Sequence, residues 1–181
     1  MTRFGYVITT YSAVMLVGGL SFVHISPRLM WNASASAPIG LYSLDRATHL
    51  VVTDLIALDA PEPLASFLAE RHYLPRGVPL LKRVAGLPRQ QVCRIGTRIT
   101  IDEVAMGEAL DRDRLGRELP VWQGCRRIAE GEIFLMNWSV EDSLDGRYFG
   151  PISAGSIIGR ATPVWTDEDG SGRFEWRAAT R

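Results

Sequence analysis

Hydrophobic and polar positions along the chain fall into two regimes. Gly5 to Ile25 form a run of 21 residues without Asp, Glu, Lys or Arg, about the length that crosses roughly 30 Å of hydrocarbon as a helix. Thr9, Thr10, Ser12, Gly18 and Gly19 dilute its apolar character, and Tyr6 and Trp31 stand near its two ends, where amphipathic rings suit a membrane interface. Beyond Trp31 the pattern changes to short runs of β character, at residues 40–44, 55–58, 78–85, 91–95, 98–101, 133–136, 156–158 and 161–165. Gly86, Pro88, Gly96, Gly107, Gly131, Gly150 and Gly170 punctuate them. Only residues 61–73 show helical spacing, with Leu64, Phe67, Leu68 and His72 roughly on one face. The polar stretch 107–118 predicts an exposed loop or hairpin tip, and 167–172 a turn that pairs 161–165 with 172–176. The expected fold is mostly β, a single antiparallel domain over residues 31–181 hung from one N-terminal transmembrane helix within residues 1–30.

The N-terminal segment has a competing reading as a cleaved signal sequence. Ala33-Ser34-Ala35 and Ala35-Ser36-Ala37 both have the small-x-small form of a cleavage site. The apolar run is longer than the usual 7–15-residue core of a signal peptide, and Pro38 obstructs a cut after Ala37. A retained anchor is therefore favoured, oriented by Arg3 and the amino terminus with its N-terminal end inside. Either reading puts residues 31–181 outside the cytoplasm. Cys93 and Cys125 lie 32 positions apart with no Cys-x-x-Cys spacing. They are two separate buried thiols or one disulfide, and an oxidising compartment favours the disulfide.

Composition removes several functions. Twenty basic and 20 acidic residues give a formal net charge of +0, without the basic excess that phosphate neutralisation of a nucleic acid needs. Hydrophobic residues at 46% and charged residues at 22% exclude a disordered chain. His24, His49 and His72 belong to no cluster with metal-ligand spacing, so no metal is expected, and a Ser-His-Asp arrangement would rest on the weak contexts of His49 or His72. One count stands out: 19 of the 20 basic residues are arginine, and Lys82 is the only lysine.

Three segments carry candidate chemistry. Ser36 sits two residues before Pro38 in a small, polar stretch that reads equally well as a juxtamembrane linker. Lys82 lies inside the apolar run 78–85, where alternation turns it to the side of Leu80 and Val84. Its ammonium either snorkels to water or is desolvated until the neutral amine acts as a general base towards a serine. In residues 137–151, Ser143, Asp145 and Arg147 share one side of an extended chain, so Asp145 and Arg147 can pair; a solvated Asp-Gly turn is the alternative.

Taken in order, the three segments resemble the signal peptidase I family, most closely the TraF-type peptidases of conjugative DNA transfer. Asn32, Ser34, Ser36, Pro38, Gly40, Leu41 and Tyr42 match the pattern around that family's nucleophile; Lys82 to Pro88 match its lysine box, and Ser143 to Gly150 its last box. The Cys93/Cys125 pair and the segment from Leu119 to Cys125 are similar to the conjugative subgroup. Ala37-Pro38 after the serine and Asn137-Trp138 in place of an acidic motif depart from housekeeping signal peptidases. The resemblance implies a signal-peptidase-like antiparallel β fold and a Ser-Lys dyad of Ser36 and Lys82, with Ser34 as the second candidate nucleophile. It further implies an oxyanion site at the Ser36 N–H and the Ser34 hydroxyl, Ser143 positioning Lys82, and an Asp145–Arg147 pair supporting the site. It implies no cofactor, metal or nucleic acid. The partners would be a lipid bilayer and a membrane-tethered, pilin-like precursor, at a bacterial inner membrane with the catalytic domain in the periplasm. The competing functions are a non-catalytic anchored assembly factor, a general signal peptidase and a self-cleaving Ser-Lys repressor relative, the last disfavoured by the apolar N-terminus.

Overall fold

Residues 2–21 and 28–179 are described by the computed structural model. The N-terminal run forms α1 (Arg3–Ser21), 19 residues and so about 28 Å long at 1.5 Å per residue. Among the described residues no helix is long and apolar enough to cross a membrane; positions 22–25 of the expected span lie outside them. Phe4, Tyr6, Val7, Ile8, Tyr11, Val14, Met15 and Leu16 are all exposed along the helix.

The rest is mostly antiparallel β, with two sheets. The larger is built from β1 (Leu29–Asn32), β2 (Ile39–Asp45), β3 (Leu55–Leu58), β4 (Leu80–Gly86), β9 (Glu132–Leu135), β10 (Ile152–Ser153), β11 (Ile157–Asp167) and β12 (Glu175–Trp176). Its order is β1-β2-β11-β3-β4-β9-β10, with β12 added beside β11. The smaller contains β5 (Gln91–Ile95), β6 (Arg98–Ile101), β7 (Val104–Glu108) and β8 (Gly124–Arg127) in the order β7-β6-β5-β8.

The central strand β4 explains its own sequence. From Leu81 to Gly86 every residue is buried, because both faces of the strand are covered. Leu81 joins Tyr42, Leu44, Leu55 and Ala57 in one core cluster, while Val84 joins Ile56, Leu58, Ile133 and Leu135 in another. A strand covered on both faces reads as a continuous apolar run, and Lys82 and Arg83 interrupt it. Ala85 reaches a third cluster with Val92, Ile99, Ile101, Ile128, Phe134 and Met136, which ties the small sheet to the large one. Gly40 is required where β2 meets β11: at φ 149° a Cβ would lie 2.2 Å from the Trp165 carbonyl oxygen.

Several sequence expectations are corrected. The helix expected over 61–73 is α2 (Leu64–Glu70), because Pro63 disfavours a helical backbone at the preceding Glu62 and His72 turns to φ 58°. The runs 156–158 and 161–165 merge into β11, which passes between β2 and β3 and absorbs Pro163 at a register irregularity. Stretch 107–118 is the mostly exposed hairpin tip that the sequence predicts, closed by an antiparallel bridge between Arg112 and Glu118. Gly107 and Glu108 end β7, and Asp113 folds the remainder by accepting from Leu115 N, Arg117 N and the Tyr73 hydroxyl. The terminal hairpin is present as β11–β12, pairing Trp165 with Trp176. Strands β1, β7, β8 and β10 had no sequence counterpart. β8 is exposed throughout and so carries no alternating pattern; its register is set opposite β5, with Cys125 facing Cys93.

Candidate active site

The loop between β1 and β2 carries both serines, and one asparagine folds it. The Asn32 side chain, buried at the end of β1, donates from Nδ2 to the carbonyls of Ser34 (2.9 Å), Ala37 (3.0 Å) and Pro38 (3.0 Å). Its Oδ1 accepts from Ser34 N (3.1 Å) and Ser34 Oγ (2.9 Å). Tyr42 Oη adds a 2.7 Å bond to the Pro38 carbonyl, and burial, with the nearby Glu168 charge, holds this phenol neutral by raising its pKa. Ser36 Oγ lies 3.2 Å from Ser34 Oγ. With the Ser34 hydrogen given to Asn32, the Ser36 hydroxyl is the donor in that contact.

Lys82 is 3% exposed, and Nζ donates to Ser143 Oγ at 2.7 Å. Desolvation lowers its pKa from 10.5 to about 8, opposed by the Asp145 charge and assisted by Arg147. A lysine held there is a proton acceptor near neutral pH. Leu58, Leu80, Leu135, Leu144, Phe149 and Ile152 line an apolar pocket that adjoins Lys82 and Asp145.

The third segment is a turn rather than the extended chain expected. Asp145 caps α3 (Gly146–Phe149), accepting from Arg147 N at 3.1 Å. Asp145 and Arg147 pair through two bonds, Nε–Oδ1 and Nη2–Oδ2, both 2.9 Å, with both side chains buried. The guanidinium also reaches the carbonyls of Val140, Glu141 and Ser143. This ion pair therefore closes the loop that presents Ser143 to Lys82. Gly146 is required by close approach, since a Cβ would meet the Leu135 carbonyl oxygen at 2.6 Å.

Asn137 brings the segments together. Its Nδ2 donates to the Ser36 and Leu81 carbonyls, Oδ1 accepts from Arg83 N at 2.9 Å, and its backbone N–H donates to Asp145 Oδ2 at 3.0 Å. Ser36 and Lys82 thus share a frame, though the hydroxyl rests on Ser34 and the amine on Ser143. Asn32 and Asn137 were not singled out as site residues from the sequence. The available signal was a polar side chain closing an apolar run, at Met136-Asn137.

The small sheet buttresses the turn from behind. Buried Arg94 donates to the Arg147 carbonyl at 2.7 Å, and Trp122 Nε1 to the Gly146 carbonyl at 3.1 Å. Cys93 and Cys125 form a disulfide one position from Arg94. No group of His, Cys, Asp and Glu among the described residues has the arrangement of a metal site, and His49 and His72 take no part in the site.

Residues 1–166 match the family profile of signal peptidase, peptidase S26, and the chain belongs to that family. It is 32% identical over 173 residues to the conjugal transfer protein TraF of Agrobacterium fabrum (strain C58), covering 90% of this chain and 91% of that protein. It is 29% identical to a plasmid transfer protein TraF of Escherichia coli, covering 90% and 94%. Among solved structures, a signal peptidase I of Enterococcus faecalis aligns with 62% of this chain and 97% of its own, at 21% identity and a TM-score of 0.38.

Proposed function

We propose that the protein is a membrane-anchored serine endopeptidase that removes leader segments from membrane-tethered precursors with a Ser36–Lys82 dyad. The observation that carries this reading is Lys82: the chain's one lysine, buried, deprotonating at about pH 8, and on a strand bound through Asn137 to the Ser36 loop. Family membership supports the peptidase class.

In acylation, Ser36 Oγ leaves its Ser34 partner and attacks the scissile carbonyl while neutral Lys82 takes its proton. The oxyanion is held by the Ser36 N–H and by the Ser34 hydroxyl turned away from Asn32, each donor contributing roughly 3 kcal/mol. Collapse breaks the C–N bond, and the lysine proton passes to the leaving amine. Water then attacks the ester, gives a proton to Lys82, and the proton returns to Ser36 as the acid departs. Ser143 fixes Nζ throughout, and the Asp145–Arg147 pair holds Ser143.

The substrate has small residues before the cut and is a pilin-like component of a conjugative transfer apparatus; the relatives' names support the transfer setting. The enzyme works at a bacterial inner membrane with residues 31–181 in the periplasm, where the disulfide is at home. A cluster of exposed tryptophans supports contact with the bilayer: half-buried Phe174 stacks on Trp31 and tilts against Trp165, and Trp176 pairs beside them. Retention of the anchor is supported by β1 and Asn32, which a cut after Ala35 would detach from the loop they organise.

Co-expression with candidate precursors from the same transfer region tests the function. Ser36→Ala and Lys82→Arg are each expected to abolish processing, seen by mass spectrometry, while the proteins still accumulate. Full processing by Lys82→Arg would remove the general base from the mechanism, because a guanidinium does not deprotonate.

A further inference from the structure

Strand β9 leaves β4 just where the site begins. Met136 N donates to the Arg83 carbonyl at 3.0 Å, but the Arg83 N–H that an antiparallel pair would return to Met136 goes to the Asn137 side chain instead, while Asn137 N donates on the other side to Asp145. The Asn137 side chain takes over the ladder. Its amide accepts from Arg83 N and donates to the Leu81 carbonyl, the two backbone groups on either side of Lys82. A side-chain amide carries one acceptor and two N–H donors in a plane, so it can imitate a peptide group and still have a hydrogen left. That hydrogen goes to the Ser36 carbonyl. The opposite orientation of the amide would set its oxygen against two carbonyl oxygens, which fixes the assignment. Asn137 is 3% exposed, and its bonds to Arg83 N and the Leu81 carbonyl are buried, so at those two groups no water can replace it.

We propose that Asn137 is a positioning residue that sets the separation of the Ser36 backbone from the Lys82 backbone, and through it the approach of hydroxyl to amine. The inference rests on the Ser36–Lys82 reading above. Its chemistry is specific to asparagine. Aspartate keeps an acceptor for Arg83 but loses both donors, serine has one donor on too short an arm, and glutamine is one methylene longer.

The test uses the full-length chain in detergent and an internally quenched peptide with Ala-x-Ala before the scissile bond, comparing wild type, Ser36→Ala, Asn137→Asp and the uncharged Asn137→Ser. Both Asn137 variants are expected to melt cooperatively and to lose about 100-fold in kcat, with KM within about threefold of wild type. A residue that served folding alone would lower the yield and leave the kcat of the folded fraction unchanged. Wild-type kcat in either folded variant, with Ser36→Ala inactive, overturns the inference and leaves the function standing. Failure of both variants to melt cooperatively also overturns it, by assigning the residue to the fold. Turnover by Ser36→Ala at the wild-type rate removes the function, and the inference with it.

Discussion

At the scale of the residue, the role proposed for Lys82 sets function against stability. Its pKa falls from 10.5 in the ordinary state to about 8 in the fold, so between those values the unfolded chain binds more protons than the folded one. Stability due to this group therefore rises as pH climbs from 8 to 10.5, and below 8 the whole penalty is present, on the order of 3 kcal/mol. Lys82→Met removes the penalty but strands the Ser143 hydroxyl, which costs about 1 kcal/mol. The variant is expected to be inactive yet more stable than wild type by about 2 kcal/mol at pH 7, with the gain disappearing by pH 10. Urea unfolding at the two pH values checks this, and a less stable variant at pH 7 contradicts it. In the proposed mechanism activity follows the neutral amine. It should rise about tenfold per pH unit below 8 and level off above it, which a pH–rate profile measures directly.

The candidate residues were legible because chemistry restricts residue type. A lone lysine among 19 arginines, two serines before a proline, and an Asp-Gly-Arg run are visible as letters. The roles of the asparagines were not, even for Asn32 within the matching pattern, since Asn32 and Asn137 act through backbone groups of residues as distant as Ala37, Ser36 and Arg83. An amide has no titration or nucleophilicity to mark it. Only the strand that ends beside it shows which carbonyls it must satisfy.

At the scale of the element, the small sheet exists to hold a turn. β5 and β8 bring Arg94 and the Cys125 strand behind α3, where Arg94 and the neighbouring Trp122 take the carbonyls of Arg147 and Gly146. β8 is polar and exposed, so it contributes little burial, and its attachment depends on pairing and on the Cys93–Cys125 bond. Removing that bond with Cys93→Ala and Cys125→Ala is expected to lower the unfolding free energy by roughly 3–4 kcal/mol for a loop of this length. A loss under about 1 kcal/mol by denaturant titration would show that strand pairing alone suffices. Strands with alternating or continuous apolar patterns, β3, β5 and β6, stand at the limits their sequences predicted. Strands held by pairing rather than burial, β8 and β10, left no periodic trace.

At the scale of the whole molecule, the chain runs from α1 through β1 into the loop that carries Ser34 and Ser36. An anchor so placed would hold the proposed site at the membrane surface, where a tethered precursor is presented at high effective concentration. The full-length chain is expected to remain in the membrane fraction after alkaline carbonate washing and to retain Met1-proximal peptides by mass spectrometry. A soluble product beginning at Ser36 or Pro38 would replace the anchor with a cleaved leader.

The sequence by itself determined the mostly β class, the family, and the three segments to which the chemistry is assigned in the proposed function, because burial patterns and reactive side chains are local properties of the chain. The tertiary structure alone decided how those segments meet. Lys82 gains a depressed pKa only when two cores close over β4. Ser143 reaches it only because Asp145 caps a turn and pairs with Arg147. Ser36 joins them through an amide 101 residues away. Desolvation and hydrogen-bond geometry are properties of neighbours in space, and spacing along the chain does not encode them.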